Sequence, residues 1–237
     1  ARNTGIANAK GDFLFFLDSD DWLNKGALDY LVSKVKKIRP NSIYIFGFEA
    51  KKDEKIVWDY IPKKETLTSK KALELFAEGK ITPSAWNKLF PSGLFESINF
   101  KEHIYYEDLE FTPIAINLSK NVEMDPKVLS NYRLDGNSIT RQKTKQKHIE
   151  DITFVLKQLQ SNLSNNKIFS TLFFNRWRYL LSIWDLSNEL KLFALIQINS
   201  FFNGKKIEID LTSSGQLITL LKDNLNTSPY NVPFNNL

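Results

Sequence analysis

The chain has 237 residues, 42% of them hydrophobic, enough to bury a core as one large domain or one domain with an appendage. It has no cysteine, which excludes a disulfide scaffold and a Cys-based zinc site and leans towards a cytoplasmic location. The net charge of +5 comes from lysines scattered along the chain, which argues against a basic RNA-binding protein, and no apolar stretch approaches the roughly 18 residues that cross a bilayer.

The first predicted element is a strand over 12–17. Phe13-Leu14-Phe15-Phe16-Leu17 has no polar alternation, so it reads as buried on both faces, as in a parallel α/β sheet. It runs straight into Asp18-Ser19-Asp20-Asp21. Asn24 is a candidate cap for a helix to about Ile38, with Ala27, Leu28, Leu31, Val35 and Ile38 on its apolar face. Strands are predicted over 42–48 and 56–61. Thr68 or Ser69 caps a short helix that ends with Gly79 at C′. Residues 83–90 read as a helical turn closed by Pro91, and 107–118 as a helix with Glu107 and Asp108 in its first turn. Short strands follow at 122–124 and 128–132. From His148 to Phe202 the pattern is helical, with breaks near 162–166 and 185–188. A further helix is expected over 213–225, and an irregular tail from Asn226.

Ligands of open α/β sheets bind beyond the carboxyl ends of the strands, and Asp18, Ser19, Asp20 and Asp21 fall at such an end. Three crowded carboxylates repel each other unless a cation lies among them, and a hard divalent ion, Mg²⁺ or Mn²⁺, also holds phosphate oxygens. Asp18 and Asp20 lie on one side of an extended chain, so both can reach one site. The plainer reading is a solvated acidic turn, or Asp20 and Asp21 capping the next helix. For Glu107 and Asp108 the plainer reading is a helix first turn that favours carboxylates. Trp86 is either a sugar-stacking surface or a core residue, and Lys88 could contact phosphate or an acidic acceptor. His103 and His148 lack metal-ligand spacing. The aromatic, basic stretch 173–184 is either a helix face packed on a neighbour or a peripheral contact with an anionic membrane.

Ala1-Arg2-Asn3-Thr4-Gly5, Ala9-Lys10-Gly11-Asp12, Phe16-Leu17-Asp18-Ser19-Asp20-Asp21-Trp22, Ser84-Ala85-Trp86-Asn87-Lys88-Leu89-Phe90, Tyr106-Glu107-Asp108 and Tyr132 to Thr140 occur in that order over roughly residues 1–140. The set resembles family 2 glycosyltransferases of the GT-A fold. The resemblance implies a Rossmann-like mixed α/β sheet flanked by helices at 1–142, lacking its N-terminal strands, and an α-helical C-terminal region at 143–237. It makes Asp20 the direct metal ligand, with Asp18 on the metal or the donor ribose. Arg2 would lie near the base or ribose, Arg133 would reach the donor diphosphate, and Trp86 and Lys88 would complete the donor site. Arg133 could equally be a surface arginine. Asp108 would be the general base, its pKa raised by Glu107 next door.

The implied function is inverting, Mn²⁺- or Mg²⁺-dependent transfer from a nucleotide-sugar, such as a UDP-sugar, to a saccharide or lipid-linked saccharide acceptor. The setting would be bacterial surface polysaccharide synthesis in the cytoplasm or at the inner face of the membrane, with no nucleic acid involved. The alternative is a non-catalytic remnant or a carbohydrate- or nucleotide-binding module. Family members carry a strand-helix-strand segment before the point where this sequence opens. The expectation is therefore a fragment whose strand at 12–17 lacks neighbours and whose isolated form binds nucleotide weakly.

Overall fold

A mixed seven-stranded sheet organises residues 1–142, the first of two compact units; the second is 143–237. The computed structural model describes residues 1–39, 41–134, 145–183 and 186–202. The strands are β1 (Phe13–Phe15), β2 (Trp22–Leu23), β3 (Ser42–Lys52), β4 (Lys55–Tyr60), β5 (Glu65–Thr68), β6 (Lys88–Pro91) and β7 (Asn121–Arg133). Their order is β1-β6-β3-β7-β2, with β4 added to β3 and β5 to β7. Only β3 and β7 run parallel; every other pair is antiparallel. The helices of this unit are α1 (Arg2–Asn8), α2 (Ala27–Val35), α3 (Ser69–Ala77) and α4 (Glu107–Leu118).

Successive residues of a strand face opposite sides of the sheet. Leu89 of β6 joins Ala27 and Leu31 of α2, Tyr44, Phe46 and Leu129 in one buried cluster. Its neighbour Phe90 meets Phe111 of α4 at 5.3 Å. The sheet is therefore covered by α2 on one face and α4 on the other, which gives the mixed α/β layering expected.

Several local expectations are corrected. The strand over 12–17 is neither parallel, nor buried on both faces, nor without a neighbour. β1 pairs antiparallel with β6 and is half-buried throughout. Phe13 and Phe15 pack on the α2 cluster, while Phe16 meets Phe90, Phe95 and Phe100. Asn24 does not cap α2, which starts after Gly26 in the left-handed region (φ 76°). The Asn24 side chain instead donates to the Val128 carbonyl and accepts from Asn131, tying its loop to β7. Residues 88–91 are a strand rather than part of a helical turn, because Leu89 and Phe90 each have a hydrophobic layer to enter. The two short strands near 122 and 130 are one strand, irregular where Phe46, Gly47 and Phe48 of β3 pair with Asp125, Val128 and Ser130. Pro126 has no N–H to give a ladder, and the irregularity falls beside it.

Thr68 caps α3, accepting from the Lys71 N–H, and Gly79 takes a left-handed φ of 78° after it. Among the described residues of the second unit the helices are α5 (Gln146–Asn162), α6 (Asn166–Ile183) and α7 (Asn188–Asn199), with the chain leaving helix after Asn162 and before Asn188 as the sequence pattern predicts. Phe173, Phe174, Trp177 and Leu180 are buried, so much of the aromatic stretch of α6 is packed within the protein. Among the described residues no helix is long and apolar enough to cross a membrane. The helix expected over 213–225 and the tail from Asn226 lie outside the described residues.

Candidate active site

Arg2 is the hub of the site. Its Nη2 donates to Asp18 at 3.1 Å and its Nη1 to Glu107 at 2.5 Å, and its guanidinium lies 5.2 Å from the centre of the Phe100 ring. One side chain on α1 thus joins the acidic loop after β1 to the first turn of α4. Asn3 braces the same corner, donating to the Phe100 carbonyl and accepting from its N–H. Burial works against the Arg2 charge, but Asp18 and Glu107 outweigh it and hold its pKa above the usual value.

The acidic loop is a turn closed by the Asp21 N–H on the Asp18 carbonyl. β2 then pairs with the end of β7, bringing Arg133 alongside. The Arg133 backbone N–H donates to Asp21 Oδ1 and its Nε to the Asp20 carbonyl, both at 2.9 Å, with the guanidinium 5.0 Å over Trp22. Asp20 itself is exposed. Asp21 is half-buried, and its Oδ2 is enclosed with no hydrogen-bond partner. Burial first, and then the charges of Asp20 and Asp18, push the Asp21 carboxyl up to about 6 against the pull of the Arg133 N–H.

Among the described residues no three carboxylates or histidines converge as a ready-made metal cluster. Mg²⁺ is commonly held by one or two carboxylates completed by phosphate oxygens. Asp18, exposed Asp20 and the orphaned oxygen of Asp21 fit that donor set, so they could hold Mg²⁺ or Mn²⁺ together with a diphosphate.

α4 begins abruptly. Tyr106 has φ 65°, an uncommon backbone for a residue with a bulky side chain, and directly sets the direction of Glu107 and Asp108. Glu107, Asp108 and Glu110 occupy the first turn, where the helix dipole favours carboxylates. Thr112 anchors the helix to the Pro83 carbonyl, fixing it against the segment that carries Trp86 and Lys88. Because Glu107 is paired with Arg2, much of its charge is neutralised before it bears on Asp108.

Lys88 lies fully inside. Its Nζ donates to the Thr82 carbonyl (2.8 Å), the Ser84 carbonyl (2.7 Å) and Asn87 Oδ1 (2.7 Å). Burial pushes the amine down to about 7, with the nearby Asp108 charge acting the other way. Here the lysine organises the 82–87 loop and faces the Asp108 charge. Trp86 is 9% exposed and stacks on Tyr132, rings 5.3 Å apart and 11° from parallel.

The structure therefore brings Arg2, Asp18 and Glu107 into direct contact, sets Asp20 beside Arg133, and puts Asp108 in the electrostatic reach of Lys88. Trp86 stacks on Tyr132 and meets Phe48 edge-on. Sequence reasoning missed the roles of Trp22 under Arg133 and Tyr132 under Trp86. The available signal was an aromatic residue adjoining each motif.

Residues 1–96 match the family described as Glycosyl transferase family 2. That match covers the first 96 of the 237 residues. It is similar to the glycosyltransferase GlyA of Streptococcus pneumoniae serotype 4, 29% identical over 60% of this chain and 22% of GlyA. It is also similar to the uncharacterized glycosyltransferase EpsJ of Bacillus subtilis, 29% identical over 59% of this chain and 43% of EpsJ. The chain thus spans less than half the length of either relative. Among solved structures, the S. aureus TarS 1–349 crystal structure matches 96% of this chain and 59% of its own, with a TM-score of 0.55 and 18% identity. The complex of TarS 1–349 with UDP-GlcNAc matches 94% of this chain and 59% of its own, at the same TM-score and 16% identity. That likeness is one of fold, and the fold is of the GT-A type: a curled mixed sheet flanked by helices.

Proposed function

We propose that this chain carries the acidic loop and base of an inverting, metal-dependent glycosyltransferase that moves a sugar from a nucleotide-sugar to a saccharide acceptor. The observation that carries this reading is the Arg2 bridge between Asp18 and Glu107. It ties the loop suited to a diphosphate to the helix turn that presents a carboxylate for the acceptor. The UDP-GlcNAc held by a protein of the same fold supports a UDP-sugar as donor. The assignment to bacterial surface polysaccharide synthesis follows from the family resemblance.

Asp20, with Asp18, would hold the divalent metal, which when bound would neutralise the leaving diphosphate as a Lewis acid. Arg133 adds a fixed positive charge beside that loop. Asp108 accepts the proton of the acceptor hydroxyl as its oxygen bonds to the anomeric carbon. The bond from that carbon to the donor diphosphate breaks, and its electron pair leaves with the nucleoside diphosphate. A single displacement of this kind inverts the anomeric configuration.

The test is Asp108→Asn in the full-length protein. The amide keeps the shape but cannot take the proton, so donor affinity should persist while kcat falls by at least about 10²-fold. Turnover within about tenfold of wild type would remove Asp108 as the base.

A further inference from the structure

Four aromatic side chains, Phe48 of β3, Trp58 of β4, Tyr132 of β7 and Trp86 from the loop before β6, close into a ring. Trp86 stacks on Tyr132 at 5.3 Å. Phe48 meets Trp86 at 4.4 Å and Trp58 at 5.2 Å, both edge-on. Trp58 completes the circuit to Tyr132 at 6.4 Å. The sheet register explains how β4 and β7 can touch. Ala50 of β3 pairs with Trp58 on one side and Tyr132 on the other. Strands two apart are separated by about 9–10 Å, so rings on them meet only if the residue between is small. Ala50 is that residue, and it is fully buried.

Two members of the ring are buried, Tyr132 is half-buried, and Trp58 is open. Phe48 is 1% exposed and Trp86 9%, whereas Trp58 is 46% exposed on a strand paired only with β3 among the described residues. A large indole left in water costs hydrophobic free energy. Here its orientation is set in advance by Phe48 and Tyr132. A half-exposed indole held by neighbouring rings suits the apolar C–H face of a pyranose, whose hydroxyls can stay hydrated at the rim. The cluster is also linked to the donor-side residues: Tyr132 is followed directly by Arg133, which binds the acidic loop at Asp20 and Asp21.

We propose that Trp58, backed by Phe48, Trp86 and Tyr132, is the platform for a sugar ring of the saccharide acceptor. This rests on the glycosyltransferase reading above. Trp58 sets acceptor affinity without touching the donor or the transferred proton, and its position on the β3–β4 hairpin makes acceptor choice depend on a segment outside the acidic loop and the Glu-Asp turn. Ile56, Val57 and Ile61 are exposed on the same hairpin region, so a second copy of the chain is the competing occupant.

The experiment compares wild type, Trp58→Ala and Trp58→Phe in the full-length protein. UDP release from a UDP-sugar panel without acceptor reads donor chemistry. Transfer to an array of bacterial oligosaccharides, followed by the KM for the best acceptor on it, reads the platform. The alanine variant should raise acceptor KM about tenfold or more, with donor KM and acceptor-free UDP release within twofold of wild type. Phenylalanine should restore most of the affinity. An unchanged acceptor KM, an equal loss of acceptor-free UDP release, or a change confined to the sedimentation coefficient would each overturn the platform. No UDP release by the wild type from any donor would overturn the transferase reading itself, and the platform with it.

Discussion

Replacing Arg2 by Gln removes a side chain that bridges the acidic loop and α4, so its consequences can be worked from the contacts. Two ion pairs disappear, to Asp18 at 3.1 Å and to Glu107 at 2.5 Å, together with the stack on Phe100. The three charged side chains are between 24% and 36% exposed, so each pair is discounted for solvent to about 0.5–1 kcal/mol. The cation–π contact adds about 0.5 kcal/mol. The expected loss is about 2 kcal/mol, or about 4–8 °C in Tm for a chain of this size. Arg2→Lys keeps the charge but cannot span two carboxylates in a fixed fork, so it should recover about half of that. Urea denaturation of both variants measures the loss. A double-mutant cycle with Glu107→Gln should return a coupling of about 0.5–1 kcal/mol, since the partners touch. A stability change below about 0.5 kcal/mol for Arg2→Gln, or zero coupling, would refute the bridge as a real constraint.

Asp125 accepts from Lys34 (2.6 Å), Tyr44 (2.7 Å) and Tyr30 (2.9 Å). Burial alone would raise its pKa, but these donors and the Lys127 N–H hold it down to about 2 from 3.8. A depressed folded-state pKa stabilises at pH above the unfolded value. About 2 kcal/mol of stability should therefore be present above pH ~4 and lost as pH falls from there through ~2, and Asp125→Asn should flatten that limb of the acid-denaturation curve followed by circular dichroism. A Cβ placed on Gly47 would lie 2.9 Å from the Tyr60 carbonyl and 3.2 Å from that of Pro126. Gly47→Ala should accordingly destabilise by about 1–3 kcal/mol, because both obstacles are backbone; an equal urea midpoint would show that β4 and β7 yield freely.

Where a local signal and the tertiary environment agreed, the elements were legible. The α4 boundaries follow from carboxylates in the first turn and apolar residues behind them. Thr68 and Gly79 frame α3 because cap chemistry is local. β1 was misread because an apolar run is compatible with burial on either side of a sheet, and only its pairing with β6 shows that it is antiparallel and half-buried. Asn24 was misread because an Asn side chain can serve a helix end or a strand carbonyl equally well, and Val128 lies too far along the chain to see. Of the site, the residue types were legible from the motifs. The Arg2 bridge and the enclosure of Lys88 were not, since they join positions about a hundred residues apart or depend on how the 82–87 loop folds over an amine. The Trp58–Tyr132 contact depends on a register that places Ala50 between them, which no local pattern reveals.

The most direct test of the central claim is calorimetry of UDP-sugars with the full-length protein, with and without Mn²⁺, for wild type and Asp20→Ala. The account predicts Mn²⁺-dependent donor binding by the wild type, lost in Asp20→Ala while the thermal transition of the protein stays in place. Donor affinity unchanged by Asp20→Ala would contradict the assignment of the acidic loop as the site that holds the metal and the diphosphate.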